Sequence, residues 1–321
     1  MKKLIAVCVL LNCLLLQAQA YKEWVQKADF CYRAKDFKSS VFYYKEAFKK
    51  EHKNASDLYN AACSAALQND KKNAFNWLNL AVDNGYESIT HMKIDSDLKS
   101  LQNQKEWEKL LARFQKKLDV LEANYDKPLQ KELLTIYKED QEIRSEFMVV
   151  YKDPKSDKKK IDSLGKIMNY KDSINLIKIV KILDEKGWVG PDVVGSQANQ
   201  TLFLVIQHAD IKNQQKYLPM MHEAVKKGNA KGSSLALLED RVALRENRKQ
   251  IYGSQFSMMQ GKGQFVLPLE DPDNVDKRRA EVGLGPLADY LKQWNIAWDV
   301  EAYKKELPEL ERISKEKRKI D

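Results

Sequence analysis

Between Tyr21 and Ala81 the apolar positions fall at helical spacing, and they do so twice. Trp24, Ala28, Cys31, Ser40, Tyr44 and Ala47 are followed, at a constant offset of 34 residues, by Leu58, Ala62, Ala65, Ala74, Leu78 and Ala81. Antiparallel helices approach closely only where the crossing side chains are small, so the alternation of large and small residues predicts two helix pairs. Asp36 and Asp70 share the offset and mark the turn inside each pair. Asp95-Ser96-Asp97-Leu98, followed by Leu101, Trp107, Leu110 and Leu111, predicts an acidic turn and a capping helix, with Asp95 or Ser96 accepting its first amide hydrogens.

Past the breaker cluster Asn124-Tyr125-Asp126-Lys127-Pro128 the period resumes in a helix from about Leu129 to Tyr151, with a stripe through Leu133, Ile136, Tyr137, Ile143 and Phe147. Thr201 to Ile206 and Leu235 to Leu244 are apolar on nearly every helical face, which predicts central helices. Gln250 to Gln255 and Gln264 to Leu267, around Gly261-Lys262-Gly263, form the one convincing hairpin signal. Gly253 inside the first of these strands predicts a bulge or a close backbone approach. A short helix then carries Arg278 and Arg279, and a last one holds Leu287, Tyr290, Leu291 and Trp294. The expected fold is mainly α: a repeat array with its cap over 21–115, a linker over 116–128, a helical domain with one β-hairpin over 129–298, and a charged helical tail over 299–321.

Composition agrees with a helical reading, because 12 glycines and 8 prolines in 321 residues leave few breakers. The first 20 residues stand apart. Lys2 and Lys3 precede an apolar run from Leu4 to Leu16, and Ala18-Gln19-Ala20 closes it. That layout is a secretory signal peptide, and the run is too short to span a bilayer. Cleavage after Ala20 places the mature chain in the periplasm or outside the cell, with no transmembrane segment left. Cys13 offers a lipoprotein alternative, weakened by Asn12 where a small residue is expected. Without Lys2 and Lys3 the net charge falls from +9 to +7. No aromatic-rich basic motif accompanies that charge, so nucleic acid is not an expected partner. The mature chain keeps Cys31 and Cys63, read as free thiols or, if their Cα atoms come close, a disulfide. Asn54-Ala55-Ser56 matches a glycosylation sequon, but so short a motif has many chance matches.

The candidate chemistry lies where charge interrupts apolar pattern. Asp140 and Arg144, with Gln141 adjacent, fall on or beside a core-facing stripe. The helix ending at Ile206 runs directly into Gln207, His208 and Asp210, with Gln214 one turn on, and Asp240 and Arg241 sit inside another apolar helix. Charges in such places must be paired or must line a cavity. A pocket reading makes Asp140, Gln141, Arg144, Gln214, Arg241, Tyr252, Gln255, Arg278 and Arg279 ligand contacts for a small anionic, glycan or peptide ligand. An enzymatic reading, a hydrolase or transferase, takes His208 as general acid or base, Asp210 or Asp240 as its carboxylate partner, and the arginines as anion clamps. A structural reading makes Asp140, Arg144, Asp240 and Arg241 buried ion pairs that hold helices in register. His208-x-Asp210 alone is a weak metal motif with no second histidine at ligand spacing, so neither metal nor other cofactor is expected.

Two resemblances follow from these residues. The 34-residue register resembles a pair of tetratricopeptide repeats, and the segment from Asp95 resembles their capping tail, which together imply protein or peptide contacts. The motifs D-Q-x-x-R (Asp140, Gln141, Arg144), G-W (Gly187, Trp188), Q-H-A-D-x-x-x-Q (Gln207 to Gln214), D-R (Asp240, Arg241), Q-x-Y-G-[ST]-Q (Gln250 to Gln255) and R-R-x-x-x-G-L (Arg278 to Leu284) resemble an uncharacterised bacterial domain family over roughly 129–294. That second resemblance implies a shared fold and no particular activity.

Overall fold

The computed structural model describes residues 20–49, 54–153, 155–259 and 263–317. The fold is mainly α-helical with a small antiparallel hairpin, and it separates into two compact units between Ala123 and Asn124. The segment expected as a signal peptide, Cys13 included but Ala20 excepted, and the hairpin turn at Gly261-Lys262 lie outside the described residues.

The first unit contains α1 (20–33), α2 (Phe37–Phe48), α3 (Ala55–Leu67), α4 (Lys71–Asp83), α5 (Ile89–Ile94) and α6 (Lys105–Leu121). The 34-residue period is written into its turns. Lys35 and Asn69 both adopt positive φ, at 61° and 65°, and each is followed by an aspartate cap. Asp36 accepts the Ser39 N–H and Asp70 the Asn73 N–H, satisfying helix-end donors that lack an intrahelical partner. Ala28, Ala47, Ala62 and Ala81 are wholly buried in one core with Tyr44, Leu58 and Leu78. Asn54 of the sequon caps α3, accepting from Ser56 N–H at 2.8 Å and Asp57 N–H at 3.1 Å. At the capping end Asp95 takes the Asp97 N–H at 3.0 Å, and Leu98, Leu101, Trp107, Leu110 and Phe114 close the core. Helix α6 continues to Leu121, well into the segment expected as linker, because Phe114 and Leu118 keep it on that core. Cys31 and Cys63 are free thiols, the second buried and donating to Asp95 at 3.7 Å.

The second unit opens with α7 (Lys127–Lys152), capped by Asp126 with Pro128 in the first turn, where proline is tolerated. It continues through α8 (Lys158–Lys186), α9 (Pro191–Val194), α10 (Ser196–His208), α11 (Ile211–Lys226) and α12 (Gly232–Arg245). Helix α10 is the axis: its run from Thr201 to Ile206 is buried on all sides, against α7, α8, α9, α11 and α12. Strands β1 (Phe256–Met259) and β2 (Gly263–Val266) pair antiparallel, Phe256 opposite Val266. They share a smaller core with α13 (Val275–Glu281), α14 (Leu287–Lys292) and α15 (Val300–Lys317). The expected charged tail therefore buries one face, through Tyr303, Leu310 and Ile313.

The hairpin starts later than its sequence suggests. Gln250 makes an isolated parallel bridge to Leu269, and residues 251–255 form a loop, because the N–H groups of Ile251, Tyr252 and Ser254 go to the Asp240 carboxylate and that of Gln255 to the Gln250 side chain. Those donors cannot also serve a strand ladder. Gly253 makes the close approach: its φ is +70°, and a Cβ there would lie 2.9 Å from a Leu287 methyl.

Candidate functional site

Helix α7 presents Asp140 and Arg144 one turn apart on a single face, and the last turn of α10 brings His208 onto them. The Asp140 carboxylate is buried and collects three partners. Gln141 Nε2 donates to Oδ2 at 2.6 Å, His208 Nδ1 lies 3.2 Å from Oδ1, and Arg144 Nη2 lies 3.5 Å from Oδ1. Arg144 Nε donates to His208 Nε2 at 3.3 Å. An accepting Nε2 carries no hydrogen, so the ring proton sits on Nδ1 and faces Asp140. The guanidinium is anchored on its far side by Asp172 of α8, with Nη2 at 2.8 and 2.9 Å from the two carboxylate oxygens. Burial pushes the Asp140 carboxyl upward, yet its hydrogen bond with His208, the Arg144 charge and the Gln141 amide outweigh this and hold it below the ordinary carboxylate range.

This chain of groups opens on a cleft of about 270 Å³. Asp140, Asp172, Asp210, His208, Asn169 and Ser173 supply its polar wall, with Leu176, Val205 and Ala209 as an apolar floor. Asp210 stands at the rim and caps α11, accepting the Asn213 N–H at 2.9 Å and its amide at 2.7 Å. Asp140, Asp172 and His208 each offer one ligand atom within 4.8 Å of the others, so among the described residues of this unit they are the ones that could hold a metal ion. The Arg144 guanidinium already brings a positive charge to that point. In the first unit Cys63, Asp95 and Asp97 form a similar group, with the Tyr59 and Tyr32 hydroxyls donating to the two carboxylates.

The other residues singled out in the sequence gather elsewhere. Asp240 is fully buried and takes three backbone N–H bonds at 2.6 to 2.9 Å, from Ile251, Tyr252 and Ser254. Arg279 donates to the Gly285 and Tyr252 carbonyls and lies over the Tyr290 ring. Arg278 donates to the Ile251, Glu270 and Asp271 carbonyls and pairs with the Asp271 carboxylate. Burial, with the charges and hydrogen bond of Glu239, pushes the Tyr252 hydroxyl up to about 12. Gln255 bonds Ser254 Oγ, and the buried Gln214 donates to the Gln207 carbonyl while its own Oε1 has no partner. Around residues 250–255, then, side chains mostly bond backbone.

Asp172, Asn169 and Ser173 escaped the sequence reading. They lie on α8 at spacings of three and four, with Leu176 one turn further, so they share a helical face. That polar stripe on an otherwise lysine-rich helix was the available signal. Ile167, Tyr170, Ile174 and Ile177, all exposed, obscured it by supplying a competing apolar stripe on the same helix.

A mainly helical unit with a charged cleft at the junction of α7, α8 and α10 is what the fold defines. Residues 127–303 match DUF6624, a family of unknown function, and the chain belongs to that family. The match begins at the first residue of α7 and reaches into α15, so it takes in every part of the cleft. No curated protein and no solved structure matches the chain. Among the described residues, no helix is long and apolar enough to cross a membrane.

Proposed function

We propose that the chain is an exported cell-envelope interaction protein whose DUF6624 unit binds a small hydroxyl-rich ligand, a glycan fragment, in the cleft beside His208. The lining of that cleft carries the reading. Three carboxylates, an imidazole, an amide and a hydroxyl converge over Leu176 and Val205. Carboxylates and amides hydrogen-bond sugar hydroxyls, and a small apolar floor suits the C–H face of a sugar ring. An anionic ligand would meet Asp172 and Asp210 first, and the Arg144 guanidinium is already paired. Export rests on the basic, apolar and A-x-A layout of residues 1–20, and protein contacts rest on the 34-residue helix pairs, whose Phe30 and Phe42 are exposed.

The hydrolase or transferase reading draws on the Asp140–His208 pair, which fixes the tautomer a general base needs. It is the weaker of the two. Arg144 occupies the Nε2 lone pair, and among the described residues no serine, threonine or cysteine is hydrogen-bonded to His208.

The test is thermal unfolding of the chain with chitooligosaccharides and soluble peptidoglycan fragments, since a ligand that binds only the native state raises the melting temperature. A saturable rise that Asp172→Asn diminishes is expected. Absence of a rise with every such glycan would remove the glycan assignment.

A further inference from the structure

Arg241 of α12 is mostly buried, and its Nε is shielded from solvent with no hydrogen-bond partner. Among the described residues, no carboxylate lies within ion-pair distance of its guanidinium. Its sequence neighbours are committed elsewhere, Asp240 to the 251–254 backbone and Glu239 to His222 and Tyr252. The charged groups within electrostatic reach are cations: Arg245, one turn further along α12, and Arg144 of α7. Arg245 is exposed along its stem, with Nη1 on the Ala209 carbonyl at 2.8 Å. Asp210 offsets it only in part, with its oxygens on Asn213. Tyr290 of α14 completes the surroundings, its hydroxyl donating to the Ser254 carbonyl.

A buried guanidinium without a counter-charge is costly, and a second one beside it raises the cost. Natural chains keep such pairs where an anion completes them, because a guanidinium fork matches the oxygens of a carboxylate or phosphate. We propose that the face of α12 carrying Arg241 and Arg245 is an oxyanion site for a phosphate or carboxylate group. Arg241 provides the main contact, and Arg245 provides the second charge. Neither arginine lines the cleft, though Arg245 bonds the Ala209 carbonyl at its edge, and the site stands whether or not a glycan binds in the cleft.

The experiment is thermal unfolding of the chain in sodium phosphate and in sodium acetate, each against sodium chloride at equal ionic strength. Either anion should raise the melting temperature saturably beyond chloride. A response to phosphate alone identifies a phosphoryl ligand, and one to acetate alone a carboxylate. Arg241→Met keeps the stem and deletes the charge, so it should lose the anion response and melt no earlier than the parent without anion. Arg245→Gln should retain the response with half-saturation at about tenfold higher anion or more, the loss of one charged contact. No anion-specific rise in the parent, or an undiminished rise in Arg241→Met, overturns the site. If Arg241→Met does not fold, an undiminished affinity in Arg245→Gln overturns it equally.

Discussion

The second unit holds two polar groups built from the same residue types. Around Asp140, side chains bond side chains: His208, Gln141, Arg144 and Asp172 link from three helices and open on a cleft. Around Asp240, side chains bond backbone: one carboxylate holds three amides of the 251–254 loop, and Arg278 and Arg279 hold its carbonyls. In sequence both read alike, as charges set into apolar helices. The difference is in what each group answers. A loop that leaves the sheet ladder must find partners for its buried N–H and C=O groups, and Asp240 with the two arginines supplies them. The Asp140 group answers no backbone need beyond one carbonyl, so its chemistry remains directed at the cleft.

The largest effect is expected where backbone depends on a side chain. Asp240→Asn keeps size but loses the charge, and it sets an NH₂ against N–H donors that need acceptors. Hydrogen bonds to a buried charge are worth about 1.5–3 kcal/mol each, so a loss of about 3–5 kcal/mol is expected in a urea titration. A loss below about 1 kcal/mol would make the 250–255 loop self-supporting and dissolve the contrast.

Asp140→Asn should cost less, about 1–3 kcal/mol, since Asp172 still pairs Arg144 and an asparagine oxygen can still accept from His208 Nδ1. Its signature is pH dependence. The Asp140 carboxyl is held below the ordinary range, burial being outweighed by His208, Arg144 and Gln141. A depressed folded-state value means the stabilisation is complete above the unfolded aspartate value of about 3.9 and is lost as pH falls through the folded value. Melting curves below about pH 4 should therefore fall more steeply for the parent than for Asp140→Asn. Parallel acid limbs would show that the carboxylate is not tuned by its neighbours.

How much of this was legible follows from the same distinction. The helix pairs of the first unit could be read because Ala28, Ala62, Ala47 and Ala81 are wholly buried in one core, and small side chains at fixed spacing leave a trace in sequence. Asp140, Arg144 and His208 were visible as charge on apolar stripes. Asp172 was not, because α8 carries apolar residues on both its buried and exposed faces, through Ile179 and Ile182 on one side and Ile167 and Ile177 on the other. The strand expected at 250–255 went astray for a related reason. Its alternation fits a strand, but the acceptor that holds its amides, Asp240, lies ten or more residues earlier in the chain. Local pattern does not register a long-range competitor for backbone hydrogen bonds.

Asp172→Asn should be milder still in stability, below about 1 kcal/mol, because the Asp172–Arg144 pair is partly solvated. Its effect belongs to the cleft. The freed Arg144 would then offer its charge to a ligand, so the variant should lose glycan response and gain sensitivity to phosphate, read as melting-temperature shifts in parallel titrations. A variant as unstable as Asp240→Asn would place Asp172 among the structural residues.

His208→Ala should show the smallest change in stability and the sharpest separation of the two groups. The imidazole joins Asp140 to Arg144, but both keep other partners, Gln141 for the carboxylate and Asp172 for the guanidinium. Removing it enlarges a cleft already open to solvent, so water can replace its two hydrogen bonds, and the melting temperature should stay near the parent's. Ligand response is a different matter. The ring lines the cleft and holds Arg144 in place through Nε2, so its loss removes a contact and loosens the wall together. Any glycan that shifts the parent should shift His208→Ala far less. Early melting of this variant would put His208 in the same class as Asp240, a side chain kept for the fold. Parental stability with an undiminished glycan shift would leave the cleft to Asp172 and Asn169 and take the histidine out of the site.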